Sequence, residues 1–259
     1  MSSKLYNAYQ LFRKGHYKVL IKELRNRIYS HSVSFGLQRD LENEFSVQAA
    51  KIEIQVRPLR KEDVADLLDT TADPSINPRI IANQQSMVDA NIPTCFVAVT
   101  TDNQPCYMQW LIGYGDNQKI EKYFNGVFPA LKKHEALLEG AYSHPAYRGL
   151  RIMPMAMALI AEKAAEMNAR WVNTFVDVTN IASLKGCQRS GFKPYLLRRD
   201  RWFLFRQSTT FHPISDTMID MFYQVTDSER FKTGGNHQIP IINHTQKSMS
   251  TVKPVHQNE

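Results

Sequence analysis

A chain of 259 residues with 43% hydrophobic and 22% charged residues can build one good core with accessory pieces, which excludes bulk disorder. No apolar run reaches about 18 residues and the N-terminus lacks the apolar stretch of a secretory leader, so neither a transmembrane segment nor export is expected, and the chain is expected to be cytoplasmic. Three cysteines, Cys95, Cys106 and Cys187, lack metal-ligand spacing and argue against a disulfide framework or a zinc site, while a formal net charge of +7 calls for nucleic acid, acidic lipid or a polyphosphate ligand as partner.

Residues 4 to 29 carry much of that charge, with Lys4, Arg13, Lys14, Lys18, Lys22, Arg25 and Arg27 set against Glu23 alone. Leu5, Tyr9 and Phe12 form one helical stripe; Tyr17, Leu20, Ile21, Leu24 and Ile28 form another beyond Gly15. The expected arrangement packs the apolar stripe on the following domain with the cations in solvent; peripheral association with anionic lipid and a homodimer contact are the alternatives. Tyr29 to Phe45, with Ser30, Ser32, Ser34 and Gly36, reads as a linker or a segment laid over the domain surface. Residues 1–50 are thus expected to be a basic helical extension, residues 51–225 the main domain, and residues 226–259, polar and containing Gly234-Gly235, a disordered tail.

In the main domain, Ile52, Ile54 and Val56 alternate as a half-buried strand does, and an acidic-start helix follows from Lys61 to Leu68. Thr71 to Asn91 reads as a loop and short helix. Thr94–Thr100 and Cys106–Gly113 read as a hairpin around the turn Thr101-Asp102-Asn103-Gln104-Pro105. The insertion from Tyr114 to Lys133 sets Tyr114, Tyr123, Phe124 and Phe128 among polar residues, which suits a sugar or a nucleoside base and equally suits a loop anchored to the core.

The organising stretch runs from Glu135 to Phe192: an apolar strand, a basic turn, the long helix from Ile152 to Met167, a strand from Trp171 to Val178, and an Asn-to-Gly-Phe segment. A turn carrying Arg148 and Arg151 that opens a helix aims N–H groups, the helix dipole and two guanidinium groups at a phosphate. Glu135 and Glu139, an even number apart, share one side of their strand. Phe192 to Gln207 alternates as one or two closing strands in which Arg198, Arg199 and Arg201 face out or line a pocket. A last helix is expected from Pro213 to Val225.

His144-Pro145-Ala146-Tyr147-Arg148-Gly149, then Asn180-Ile181-Ala182-Ser183, then Gly191-Phe192, in this order and spacing, resemble the acyl-CoA-binding core of the GCN5-related N-acetyltransferase (GNAT) superfamily over residues 52 to 206. The resemblance implies a mixed α/β fold whose mostly antiparallel sheet has splayed central strands flanked by helices. It implies acetyl-CoA or a longer acyl-CoA as co-substrate, with no metal, and acyl transfer to an amine in a ternary complex. Under it, the turn from Arg148 through Gly149, Leu150, Arg151 and Ile152 to Met153 would hold the diphosphate. Ala141 or Ser143 would bind the thioester arm, and Asn180 and Ser183 the pantetheine. Glu139 or Glu135 is the candidate base, with His144, His134 or no side chain as alternatives.

This chain departs from the family pattern at Arg151 and Met153, where small residues are usual, and at Cys187, where many members carry a proton-donating tyrosine; the thiol is a candidate proton donor or a small buried core residue. A looser likeness of layout points to a nucleotide-linked amino sugar of surface-polysaccharide synthesis as acceptor, with Tyr114, Tyr123, Phe124, Arg198 and Arg199 as candidate contacts. A protein or peptide amine is the alternative acceptor. A non-catalytic acyl-CoA or nucleic-acid binding module is the alternative class, although no nucleic-acid-binding signature is present.

Overall fold

The alternating segments assemble into a single eight-stranded sheet in a computed structural model that describes residues 12–13, 15–69 and 76–227. The strands are β1 (Tyr29–Asp40), β2 (Ile54–Pro58), β3 (Cys95–Thr100), β4 (Pro105–Gly113), β5 (Glu135–Ser143), β6 (Trp171–Asp177), β7 (Lys193–Phe203) and β8 (Arg206–Pro213), in the spatial order β2-β3-β4-β5-β6-β1-β7-β8. Every neighbouring pair is antiparallel except β5 and β6, so the fold is mixed α/β with a mostly antiparallel sheet, as expected.

Helices cover both faces because β4, buried along its whole length, has apolar side chains on each. Tyr107 and Leu111 meet Ala156, Met157 and Ile160 of α5 (Ile152–Glu162), with α6 (Ile181–Arg189) and α7 (Asp216–Thr226) contributing Leu184 and Phe222. On the other face, Met108, Trp110 and Ile112 meet Leu67 of α2 (Lys61–Leu68), Met87 of α3 (Pro78–Asp89) and Ile120 of α4 (Asn117–Phe124).

The N-terminal boundary expected at residue 51 does not hold, because residues 29–40 are no linker but a central strand. β1 lies between β6 and β7, with Phe35 and Leu37 fully buried toward α7 and α5. Its glycine sits where neighbours press from the adjoining strands. A Cβ on Gly36 would lie 2.5 Å from Leu196 Cδ1 and 3.1 Å from Phe175 Cε1. The segment that follows braces α5 and its entry: the Ala50 N–H donates to Met155 Sδ (3.2 Å) and the Lys51 N–H to the Leu150 carbonyl (2.8 Å).

The expected packing of the N-terminal helix by its apolar stripe is also corrected. α1 (Tyr17–Ile28) has no buried residue, and Tyr17, Ile21, Leu24 and Ile28 are exposed. The stripe over Leu5 and Tyr9 lies outside the described residues, as does the tail from Ser228 onward. The closing strands are two, extend to Pro213, and lead into α7 near the expected place.

The junction of β2 and α2 yields a stability test. Asp63 accepts from Arg57 Nη1 at 2.6 Å and Nη2 at 2.8 Å, and also from the Arg60 N–H at 2.7 Å. Burial alone would raise its carboxyl, but the Arg57 pair and the Arg60 N–H outweigh burial and hold it below the usual carboxylate range. Such a carboxylate adds stability above the unfolded-state pKa and loses it as pH falls through the folded value. Asp63→Asn is expected to destabilise the protein by about 2–3 kcal/mol at neutral pH, with the difference shrinking in acid, as read by denaturant unfolding.

Candidate functional site

β5 and β6 are paired only from Glu135 to Leu137 and from Trp171 to Asn173. Beyond those residues the ladder stops: β6 stays paired with β1 from Trp171 to Asp177 and β5 stays paired with β4, so the two strands part from each other. A V-shaped opening results at the centre of the sheet. On β5 the departure is reinforced by a bulge: Met108 faces Tyr142 and Trp110 faces Glu139, so Gly140 and Ala141 together oppose Gln109. Gly140 has φ +67°, and a Cβ there would lie 2.7 Å from Trp110 Cε3 and 3.0 Å from Met87 Sδ, so only glycine fits.

Glu139 stands beside this bulge on the face covered by α3 and α4. Loss of water pushes its carboxyl above the usual carboxylate range, against the opposing pull of Arg198 and of the Gly140 N–H. Around it, Tyr123 of α4 donates to Ser86 Oγ of α3 at 2.9 Å. Burial raises that phenol, against the Ser86 bond, and the charges of Asp89 and Glu139 add to the rise. The rings of Phe124 and Phe128 meet edge to face at 4.8 Å, and Phe128 reaches Phe175 of β6 at 5.4 Å.

The Arg198 guanidinium lies over Phe128 (5.4 Å) and Phe175 (5.2 Å), and its Nη2 donates to Ser34 Oγ of β1 at 3.3 Å. Its Nε is 3.0 Å from Asp200 Oδ2 but out of line for a hydrogen bond. A carboxyl raised by burial, an aromatic wall and a stacked arginine therefore share one side of the opening.

β5 ends at Ser143, and a single 3-10 turn (Pro145–Tyr147) leads to the start of α5. Gly149 (φ +79°) and Arg151 (φ +58°) both adopt left-handed backbone, and Arg151 is the N-cap with no side-chain cap bond. The first N–H groups of α5 are thus left without a side-chain acceptor, in a turn where Arg148 and Arg151 are exposed. Met153 points away from this turn: its Sδ would lie 2.7 Å from a Cβ on Gly186, so it fills the seam between α5 and α6 and does not crowd an anion. Ile152 is buried and anchors the helix start.

The remaining candidates separate. Glu135 accepts from the Lys132 N–H at 2.8 Å, a bond that closes the turn into β5. Ala141 is exposed at the bulge, while Ser143 pairs with Tyr107. Asn180 caps α6, accepting from the Ser183 N–H at 3.2 Å. Arg199 alternates to the opposite face from Arg198 and is exposed, and Tyr114 is 53% exposed in a 3-10 turn, so neither joins the cluster.

Of the two roles open to Cys187, proton donor and small core residue, its surroundings favour the second. It is 1% exposed, its Sγ contacts Met157 Sδ at 3.8 Å, and burial pushes the thiol up to about 12. Cys187→Ala is expected to leave turnover within about threefold of wild type while costing about 1–2 kcal/mol of stability from the lost core volume, measured by steady-state assay and thermal unfolding.

Sequence reasoning missed the contributions of Ser86, Ser34 and Phe175. The alternation of Val33, Phe35 and Leu37 is the signal that marks β1 as a strand; nothing local marks the other contacts. Among the described residues no group of three or more His, Cys, Asp or Glu could hold a metal ion, and no helix is long and apolar enough to cross a membrane.

No protein-family model matches the chain, and no curated protein is detectably similar to it. Among solved structures it is similar to a GNAT-family acetyltransferase from Colwellia psychrerythraea (11% identity, TM-score 0.43), over 73% of this chain and 59% of that one. It is also similar to a GCN5-related N-acetyltransferase from Sphaerobacter thermophilus (13% identity, TM-score 0.41), over 71% and 56% of the two chains. A GNAT-family acetyltransferase from Brucella melitensis in complex with acetyl-CoA is a third (14% identity, TM-score 0.34), over 51% of this chain and 80% of that one. The chain thus spans less than two thirds of the length of the first two.

Proposed function

We propose that this protein is an acyl-CoA-dependent N-acyltransferase acting by direct attack of an amine on the thioester. The observation that carries the reading is the opening between β5 and β6, placed between the desolvated carboxyl of Glu139 and the basic, uncapped start of α5. Arg148, Gly149 and Arg151 with the first N–H groups of α5 suit the coenzyme diphosphate. The backbone N–H of Ala141 at the bulge suits the thioester carbonyl, which gains negative charge as it is attacked.

Glu139 takes the proton that the acceptor ammonium must lose before its nitrogen can attack; a carboxyl above its ordinary range is the better base for that step. A C–N bond then forms as the C–S bond breaks, the sulfur leaves with the electron pair, and the second proton that the nitrogen sheds on becoming an amide makes it a thiol.

For the acceptor we favour a nucleotide-linked amino sugar, supported by the aromatic wall of Phe124, Phe128 and Phe175 beside the stacked Arg198. Rings suit a base or sugar face, and a guanidinium suits a diphosphate. Free-thiol release tests the reading with a panel of acyl-CoAs against nucleotide-linked amino sugars, amino acids and peptides. Release that needs both an acyl-CoA and an amino sugar nucleotide is the expected result. Release with peptides alone transfers the acceptor assignment to them, and absence of both turnover and coenzyme A binding rejects the enzyme reading.

A further inference from the structure

We infer that α1 and the tip of the β7–β8 hairpin form one element that seats this protein on an anionic lipid surface. On α1, Tyr17, Ile21, Leu24 and Ile28 recur at helical spacing on one stripe and are 53%, 66%, 54% and 44% exposed. Leu20, at the edge of that stripe, is half-buried with Val19, Glu23, Asn26 and Arg27, which lie on the side of the helix turned to the domain. The helix therefore turns its apolar stripe outward, the reverse of what packing on its own domain requires.

The hairpin tip repeats the pattern independently. Phe203 pairs with Arg206, so Leu204 and Phe205 form a two-residue turn, with φ of 45° and 66°. Such turns favour Asn-Gly because both residues take left-handed backbone, which Leu and Phe adopt only at a cost. Here they hold side chains that are 59% and 55% exposed, next to Phe203 at 52%. Strained backbone spent on displaying apolar side chains to solvent serves no packing purpose within the domain. Helix and tip are one unit, since the N–H groups of Leu204 and Phe205 donate to the carbonyls of Ile28 (2.9 Å) and Arg27 (2.8 Å), closing the C-terminal end of α1.

Charge selects the occupant. Lys18, Lys22 and Arg25 flank the stripe on α1, Arg201 and Arg206 flank the tip, and all five are exposed. The acid of α1, Glu23, is instead 3.4 Å from Arg79 of α3, away from the stripe. An apolar ridge between rows of cations matches the boundary between anionic headgroups and acyl chains. A second copy of the chain would set these cations against each other.

Sedimentation of the full chain with vesicles tests the inference, using phosphatidylcholine alone and phosphatidylcholine mixed with phosphatidylglycerol. Partitioning onto the anionic vesicles is expected to be at least about tenfold stronger and to fall several-fold as salt rises from about 0.05 to about 0.5 M. Leu204→Asn with Phe205→Gly gives the turn the residues it favours, so the fold is kept while the apolar tip is lost; it should weaken partitioning about tenfold. Lys22→Glu with Arg25→Glu should do the same without touching the tip. Equal partitioning on both vesicle types, or none, overturns the inference. So does a tip variant that partitions like wild type, or one whose sole effect is to split a dimer detected by light scattering.

Discussion

Glu139→Gln is expected to lower kcat by about 10²- to 10³-fold while the KM for acyl-CoA stays within about threefold, the signature of a lost base at an intact cofactor site. Two pH measurements separate this from a folding defect. In wild type the rate should rise with pH through the elevated carboxyl pKa, because the working form is the carboxylate, and that acidic limb should vanish in the glutamine variant. Stability should move the other way. A carboxyl raised by burial favours the native state at low pH and loses that contribution as pH rises through the folded value, so Gln should match or exceed the wild-type melting temperature near neutrality and lose that advantage in acid. Unchanged turnover would remove Glu139 from the reaction, leaving a solvent-derived base.

The second large effect is on the diphosphate turn. Arg151 holds a left-handed backbone (φ +58°) that costs nothing to glycine. Arg151→Gly is therefore expected to leave stability unchanged or raise it by about 0.5–1 kcal/mol, while coenzyme A affinity, read by calorimetry, falls about tenfold with loss of the charge-assisted contact. The opposite signs matter: a residue kept for folding would lose stability on substitution. Affinity that does not change would place the coenzyme elsewhere.

The order of strand, basic turn, helix and strand from Glu135 to Asp177 could be read directly, because each piece carries its own period and its own punctuation. The β3–β4 hairpin and the acidic start of α2 were legible for the same reason. β1 was not, because serines and a glycine resemble a linker by composition, although Val33, Phe35 and Leu37 alternate. Gly36 answers to Leu196 and Phe175, which lie far away in the chain.

Within the candidate site, parity alone put Glu135 and Glu139 on one face, but only the bulge and the desolvation beside Arg198 distinguish them. Glu135 closes its own turn and is spent there. Position in the chain suggested chemistry for Cys187, and packing removed it, because α5 closes over the thiol.

Taken by itself, the amino-acid sequence determined the strands and helices that carry their own period, such as β3, β4 and α5, which of their residues alternate onto a common face, and that a cationic turn opens α5. These depend on backbone preference and on neighbours a few residues away. The tertiary structure alone decided that β1 enters the sheet between β6 and β7, that Ser34 meets Arg198 across a separation of 164 residues, and that the stripe of α1 faces outward. A periodic pattern states that a face is apolar; what covers that face is set by distant segments competing for the same surface, and no local signal records the winner.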